Sequence, residues 1–394
     1  MFQSRTHSRL RLRRPSLTAY SLLRRVARLF LPTAMPSAPG KNRMDVTNAA
    51  SALRKPGKML FPFRTRRIAV WLSLGVAVLL VGAEGVLRVG GFGHPVLLQG
   101  DAEVGYLFQA EQFTTRLGRN VHINAFHQRS DDVPALPASA ARRVLMVGDS
   151  VTFGTTLLDQ KETLSERLKG ALNARGGSSW EVLNASAGSW GPGNELAYLQ
   201  RFGTFGAQEV VLQIGSHDLL QMKSTSARVG IDPSMPNRRP LTALGEVWSR
   251  YLWPRWQGLT APAYPTPPSG EAAAVQFDNN LRSILQMVHC IRECGAVPIV
   301  LHTPNRNEVV SDNVALPSEY APWRERFVAL LEAQDVPVIN LAEIWAADPN
   351  ASDYYLDHVH LSPRGTAAAA KMILAPRCGP AWGEWTAVEG PGEP

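Results

Sequence analysis

The stretch Arg143-Val144-Leu145-Met146-Val147-Gly148-Asp149-Ser150-Val151-Thr152-Phe153-Gly154 decides how this chain is read. A mostly apolar run of strand length stops at a glycine, an acid and a serine, so a hydroxyl stands exposed at the end of a strand. Working outward, further apolar runs of strand length occur at Glu181–Leu183, Glu209–Ile214, Val297–His302 and Val336–Leu341. Helical patterns separate them at Thr163–Ala174, Asn194–Phe205, Phe277–Glu293 and Trp323–Ala333, with a last one at Ser362–Leu374. Strands that are apolar throughout, alternating with helices, predict a parallel sheet covered on both faces. In such sheets chemistry gathers at the carboxyl ends of the strands.

Three more strand ends carry chemistry. Asn184-Ala185-Ser186-Ala187-Gly188 closes the second strand, where a glycine lets a backbone N–H approach a ligand. Gly215-Ser216-His217-Asp218 follows the third. Asp357-His358-Val359-His360-Leu361-Ser362 stands between the fifth strand and the last helix, with Gly365 just beyond. Each fragment alone has a plain reading, Ser150 as a helix cap and His360 as a surface histidine. Arriving in order at four strand ends, they supply a serine nucleophile, a base for its proton, an acid to orient the base, and N–H groups for an oxyanion.

These residues resemble the blocks of the SGNH hydrolases, also called the GDSL esterase and lipase superfamily. The Gly-Asp-Ser block is matched at Gly148–Ser150, the glycine block at Gly188 and the Asp-x-x-His block at Asp357–His360, over about residues 141–376. The resemblance implies an α/β, flavodoxin-like three-layer fold with a five-stranded parallel sheet. It implies Ser150 as nucleophile, His360 as base and Asp357 as its orienter. The oxyanion donors would be the N–H groups of Ser150 and Gly188 with the side chain of the third block. There the chain departs from the pattern: His217 stands where an asparagine is expected. An amide donates at any pH, whereas an imidazole donates only from the tautomer or protonation state that faces the oxyanion. The expectation is a working site with His217 as third donor.

Upstream, Ile68 to Ala83 reads IAVWLSLGVAVLLVGA without a charge, and residues 68–88 have the length of a bilayer core. Arg64, Arg66 and Arg67 precede it, so the positive-inside bias places the N-terminus in the cytoplasm and the body outside. An uncleaved anchor is expected; the rival is a signal peptide cleaved near Val81-Gly82-Ala83. Together with Glu84, Leu87, Arg88, Gly90 to Gly93 and then Ile123-Asn124, this segment resembles a membrane-anchored extracytoplasmic subgroup of the same superfamily. Residues 89–140 read as an irregular lead-in, with strand-like pieces at Val104–Phe108 and Asn120–Ile123.

The formal charge of the 394 residues is +8, but it is divided: residues 1–67 carry +15 and the rest −7. The basic balance therefore belongs to a tail, untranslated if Met44 or Met59 is the true start, whose composition suits disorder or an anionic membrane surface. A nucleic-acid partner for the body is not expected. No cofactor is expected and no metal, since His217, His358 and His360 follow no ligand spacing; His358 reads as a loop residue or substrate contact. Cys290, Cys294 and Cys378 are too few for a disulfide framework, and their plain reading is as small buried hydrophobes.

Residues 221–276 form an insertion longer than an ordinary connection, expected to be lid-like, and Leu244–Leu252 has the pattern of a short amphipathic helix. Its aromatics read either as packing onto the body or, for Trp248, Trp253 and Trp256, as substrate contacts. Pro262–Ser269 reads as a linker and residues 377–394 as a flexible tail. The functional expectation is a membrane-anchored extracytoplasmic esterase removing O-acetyl or other small acyl groups from an acylated carbohydrate or another ester, with partners in polysaccharide assembly. A polysaccharide O-acetyltransferase using the same three residues, and a weakened glycan-binding scaffold, are the alternatives.

Overall fold

The computed structural model describes residues 63–176, 179–256, 268–310 and 319–375. The basic tail, most of the linker at 262–269, Cys378 and the tail at 377–394 lie outside the described residues. The chain divides into two units, Met1–Arg66 and Arg67–Pro394. Phe63–Val89 forms a single helix, α1. Its part from Arg66 to Val89, 24 residues, is long and apolar enough to cross a membrane, and none of its apolar window is buried against protein. At 1.5 Å per residue it spans roughly 36 Å, enough for a hydrocarbon core of about 30 Å.

The lead-in is more regular than its sequence suggests. β1 (Leu98–Asp101) pairs antiparallel with β2 (Gly105–Phe108), and β3 (Gln112–Arg116) with β4 (Arg119–Ile123). β2 and β4 correspond to the two strand-like pieces. Their partners, LQGD and QFTTR, are too polar to announce themselves and become strands only by pairing. Leu117 and Gly118 close the second hairpin with φ of 50° and 76°, the two-residue turn that suits strand twist.

The central sheet contains β5 (Ala141–Gly148), β6 (Ser179–Ser186), β7 (Glu209–Gly215), β8 (Val297–Thr303) and β9 (Val338–Asn340), all parallel, in the order β6-β5-β7-β8-β9. The order reverses between β5 and β7, the switch point at which ligands enter such sheets. Successive residues of β5 point to opposite faces: Leu145 and Val147 into one core, Val144 and Met146 into the other. Among the described residues ten helices follow α1. They are α2 (Ser150–Phe153), α3 (Leu164–Ala174), α4 (Pro192–Phe202), α5 (Ala243–Val247), α6 (Trp253–Trp256), α7 (Glu271–Glu293), α8 (Arg306–Val309), α9 (Ala321–Glu332), α10 (Leu341–Ala346) and α11 (Pro363–Leu374). α4, α7 and α9 bury Leu199, Phe277 and Phe327 on the first face, together with the hairpins. α3, α10 and α11 bury Leu168, Trp345 and Ala369 on the second. These are the three expected layers. The cysteines differ from expectation: Cys294 is exposed and Cys290 half-buried, both free, because they lie where α7 runs out past its packed face.

Candidate active site

β5 ends in Gly148, where a Cβ would lie 2.5 Å from Thr152 Oγ1 and 2.6 Å from the Gln213 amide. The chain therefore turns tightly into α2. Asp149, fully buried, caps that helix by accepting from Val151 N at 2.8 Å. Ser150 is the first residue of α2, half-buried, with its Oγ 2.9 Å from His360 Nε2. His360 Nδ1 lies 2.7 Å from Asp357 Oδ2. Asp357 Oδ1 accepts in addition from the backbone N–H of Val359 (2.9 Å) and His360 (2.8 Å). Burial pulls the Asp357 carboxyl up, but the bonds from the His360 ring and from the two N–H groups outweigh it and hold the group well below the usual carboxylate range. It is thus ionised at neutral pH. The structure brings Ser150, His360 and Asp357 together, 210 residues apart in sequence, at an open surface: the Asp357 side chain is 40% exposed and that of His360 25%.

Gly188 stands at the end of the loop after β6, and a Cβ on it would meet nothing within 4 Å. The space above it is free for a ligand. Its carbonyl is held from behind by the Tyr106 hydroxyl of β2, whose own carbonyl accepts from Trp190 Nε1 at 3.0 Å. Next to it Ser189 has φ of 61°, a strained conformation held by Gln221 Nε2 and Ser224 Oγ donating to its carbonyl at 2.8 and 2.5 Å.

His217, the expected third donor, has its own carboxylate partners. Its Nε2 is 2.8 Å from Asp149 Oδ2 and 3.5 Å from Asp218 Oδ1, so that nitrogen's N–H is committed to a carboxylate. Its Nδ1 is buried without a hydrogen bond, beside the Asn305 amide. The ring packs flat onto Gly215, where a Cβ would stand 2.6 Å from His217 Cε1. Burial would push this imidazole down, but Asp218 and Asp149 flank it and raise it to about 9, so it is an imidazolium at neutral pH. The physical reason is charge: two buried acids draw the cation inward. Asp149, His217 and Asp218 bring ligand atoms within 4.8 Å of one another, and the imidazolium itself fills the place of a cation there.

Sequence reasoning missed the rest of this cluster. Asp218, fully buried, is pushed up to about 7 by burial, against the pull of His217. Glu195 of α4 is fully buried with both carboxyl oxygens unpartnered, and burial with the nearby Asp218 and Asp149 raises it well above the usual range. Gln213 of β7 turns its amide to donate to Asp149 Oδ1 at 2.8 Å and to Thr152 Oγ1 at 2.9 Å. Arg129, also fully buried, donates to the carbonyls of Phe153 (2.7 Å), Thr155 (2.5 Å) and Leu158 (2.8 Å), pinning the turn after α2. A polar residue inside an apolar strand was a visible signal for Gln213; for Glu195 and Arg129 there was none.

The remaining candidates lie on two segments, the loop that carries Asp357 and His360 and the insertion. His358 is exposed on the loop between Asp357 and His360, its carbonyl accepting from Arg306 N at 2.9 Å. Trp248 packs against Trp253 and Trp256, with ring centroids 5.9 and 6.3 Å away. Among the described residues no hydrogen bond, ion pair or ring contact joins these tryptophans to Ser150, His360 or Asp357.

Residues 146–368 match the model of the GDSL-like lipase/acylhydrolase family. A search of curated proteins finds no match. Among solved structures, the chain is similar to an acetyl xylan esterase, AlAXEase (13% identity, 59% of this chain and 98% of that one, TM-score 0.39). It is similar also to the lipase/acylhydrolase from Enterococcus faecalis (17%, 59% and 93%, 0.38) and to a lipolytic G-D-S-L protein from Veillonella parvula (13%, 60% and 97%, 0.37). With the family model covering more than half of its length and the five-stranded parallel sheet in place, the chain belongs to the GDSL-like lipase/acylhydrolase family and is a carboxylic ester hydrolase.

Proposed function

We propose that the protein is a membrane-anchored serine esterase, its hydrolase domain outside the cytoplasm, that removes small acyl groups, above all O-acetyl, from a carbohydrate. The observation that carries the chemistry is the unbroken chain from Ser150 Oγ through the His360 ring to Asp357, with links of 2.9 and 2.7 Å. In this reading Ser150 Oγ attacks the ester carbonyl while His360 Nε2 takes its proton, and Asp357 holds the ring and its developing charge. The backbone N–H groups of Ser150 and Gly188 receive the oxyanion. His360 then returns the proton to the departing sugar hydroxyl, leaving an acyl-serine. A water, deprotonated by the same imidazole, releases the carboxylic acid and frees Ser150. His217, bound to Asp149, acts as the counter-ion that holds the nucleophile's neighbour in place. The open surface position of the three residues suits a small ester on a bulky polymer better than a long acyl chain, which would need a deep apolar slot. Export follows from Arg64, Arg66 and Arg67 before the apolar helix and supports a surface or secreted polysaccharide as substrate.

The full chain in detergent is expected to hydrolyse p-nitrophenyl acetate and acetylated oligosaccharides and to be labelled by a serine-directed phosphonate. Ser150→Ala should lose activity by about 10³-fold or more and take no label. Equal inactivity and equal lack of label in both proteins would refute the reading. Activity on acyl chains of eight carbons or more, with none on acetyl sugars, would move the substrate to lipids.

A further inference from the structure

Glu84 is the first charged residue after the apolar stretch Ile68–Ala83, on the last turns of α1. Its carboxylate accepts from the backbone N–H of Ala243 and Leu244, each at 2.9 Å, and so caps α5 from another element. It also pairs with Arg88 at 2.7 Å, and the Arg88 guanidinium reaches the Leu241 carbonyl at 3.0 Å. Just beyond α1, Gly93 N donates to Glu246 at 2.6 Å, Glu246 pairs with Arg116, and Phe92 meets Tyr251 edge-on. The segment 241–256 is thereby fastened at the level where the apolar run of α1 ends.

From that height it turns apolar side chains outward. Leu241, Trp248, Leu252, Trp253 and Trp256 are exposed, Trp256 by 77%, and Leu117 at the tip of the neighbouring hairpin joins them. The hairpin is itself held to the end of α1, with Leu117 N donating to Gly90 O at 3.0 Å. Arg255 is exposed in the same segment and Arg238 and Arg239 just before it, whereas the segment's only acid, Glu246, is buried and paired. Of the aromatics expected to pack the insertion onto the body, Tyr251 does so against Phe92, and Tyr264 lies outside the described residues. Exposed tryptophans interleaved with arginines, beside the end of an apolar helix, have the composition of a protein surface at the headgroup layer.

We propose that residues 241–256 lie in the headgroup layer of the membrane that α1 enters, a second contact that holds the hydrolase domain down on the lipid surface. The proposal rests on the reading of α1 as a membrane helix, and the experiment separates the two. The full chain, with Cys290, Cys294 and Cys378 replaced by serine, is reconstituted into phosphatidylcholine and phosphatidylglycerol vesicles. A nitroxide is attached in turn at Val76→Cys in α1, at Leu252→Cys and Trp256→Cys in the segment, and at Arg282→Cys on the exposed side of α7. The relative accessibility to oxygen and to a water-soluble nickel chelate then reports the surroundings of each label. At 252 and 256 the oxygen-to-nickel ratio should exceed that at 282 by about threefold or more, below the value at 76. A lipid-like value at 76 with water-like values at 252 and 256 overturns the proposal and leaves the anchor standing. A water-like value at 76 overturns the anchor and the proposal with it. Glu84→Ala, which removes the cap, should shift the label at 252 toward water while the label at 76 stays in lipid; an unmoved label would overturn the assignment of Glu84 as the fastener.

Discussion

Histidine 217 shows how one residue's role is set by the charges around it. Had its imidazole faced the oxyanion, restoring the family's asparagine would be expected to raise turnover. With Nε2 on Asp149, His217→Asn should not raise activity, and its effect should appear in stability instead. Asp149, Asp218 and, on the far side, His302 are the titratable groups that interact with it, and Glu195 faces the same two aspartates. Its folded-state pKa of about 9 lies above the ordinary 6.5, so its stabilisation is fully present below pH 6.5 and is lost as pH rises toward 9. The Tm difference between the wild type and His217→Asn should therefore be largest near pH 6 and close by about pH 9; a difference constant across that range contradicts the ion-pair assignment. Glu195 has the same sign, starting from the lower carboxyl range. A buried carboxyl that binds its proton more tightly folded than unfolded loses stability as pH climbs above the usual carboxyl range. Glu195→Gln should match the wild type near pH 4.5 and melt higher at pH 8, as thermal scans at the two pH values would show.

At the scale of elements, the catalytic loop depends on how α11 docks. Gly365 lies one turn into α11, and a Cβ there would stand 2.1 Å from the Tyr354 carbonyl oxygen, a backbone atom that cannot swing aside. Ser362 caps α11 through Gly365 N at 3.1 Å, and its own N–H bonds the same Tyr354 carbonyl at 2.8 Å. The segment between, 355–361, carries Asp357 and His360. Gly365→Ala should cost about 1–3 kcal/mol and lower kcat more than it raises KM, because the His360 ring shifts relative to Ser150. Denaturant melts and steady-state kinetics on one preparation test both halves. Arg129 plays the matching part on the nucleophile side. Arg129→Lys keeps the charge but offers one ammonium to carbonyls that a planar fork serves at once, and should destabilise by about 2–4 kcal/mol.

The whole molecule carries its charge in two parts, a strongly basic first segment and an acidic body, on either side of one apolar helix. If the basic side faces the cytoplasm, a phosphatase fused to the C-terminus should be active in intact cells and a fluorescent reporter that folds only in the cytoplasm should stay dark. The reverse pattern would remove surface glycans from the list of substrates. The same orientation bears on the fate of the acyl group. Outside the membrane water is abundant and no acyl donor is at hand, so free carboxylic acid should exceed acylated sugar when the protein is offered an acetyl ester and an oligosaccharide together; an excess of acylated sugar would favour transfer.

The sequence by itself determined the parts that depend on local pattern. Apolar runs alternating with helical periodicity specified the parallel sheet, and a serine, a glycine and an Asp-x-x-His at strand ends specified which side chains would meet. The unbroken apolar run before Glu84 marked the membrane-type helix. Only the tertiary structure decided what depends on neighbours distant in the chain. β1 and β3 are strands because β2 and β4 offer them hydrogen bonds, not because of their own residues. His217 Nε2 is bound because Asp149, 68 positions earlier, reaches it from the end of β5. The start of the segment that carries the insertion's tryptophans is tied to α1 because a carboxylate 159 residues upstream caps α5. Periodicity reports which face of an element is buried, but it carries no information on which partner a charge or an orphaned backbone N–H will find.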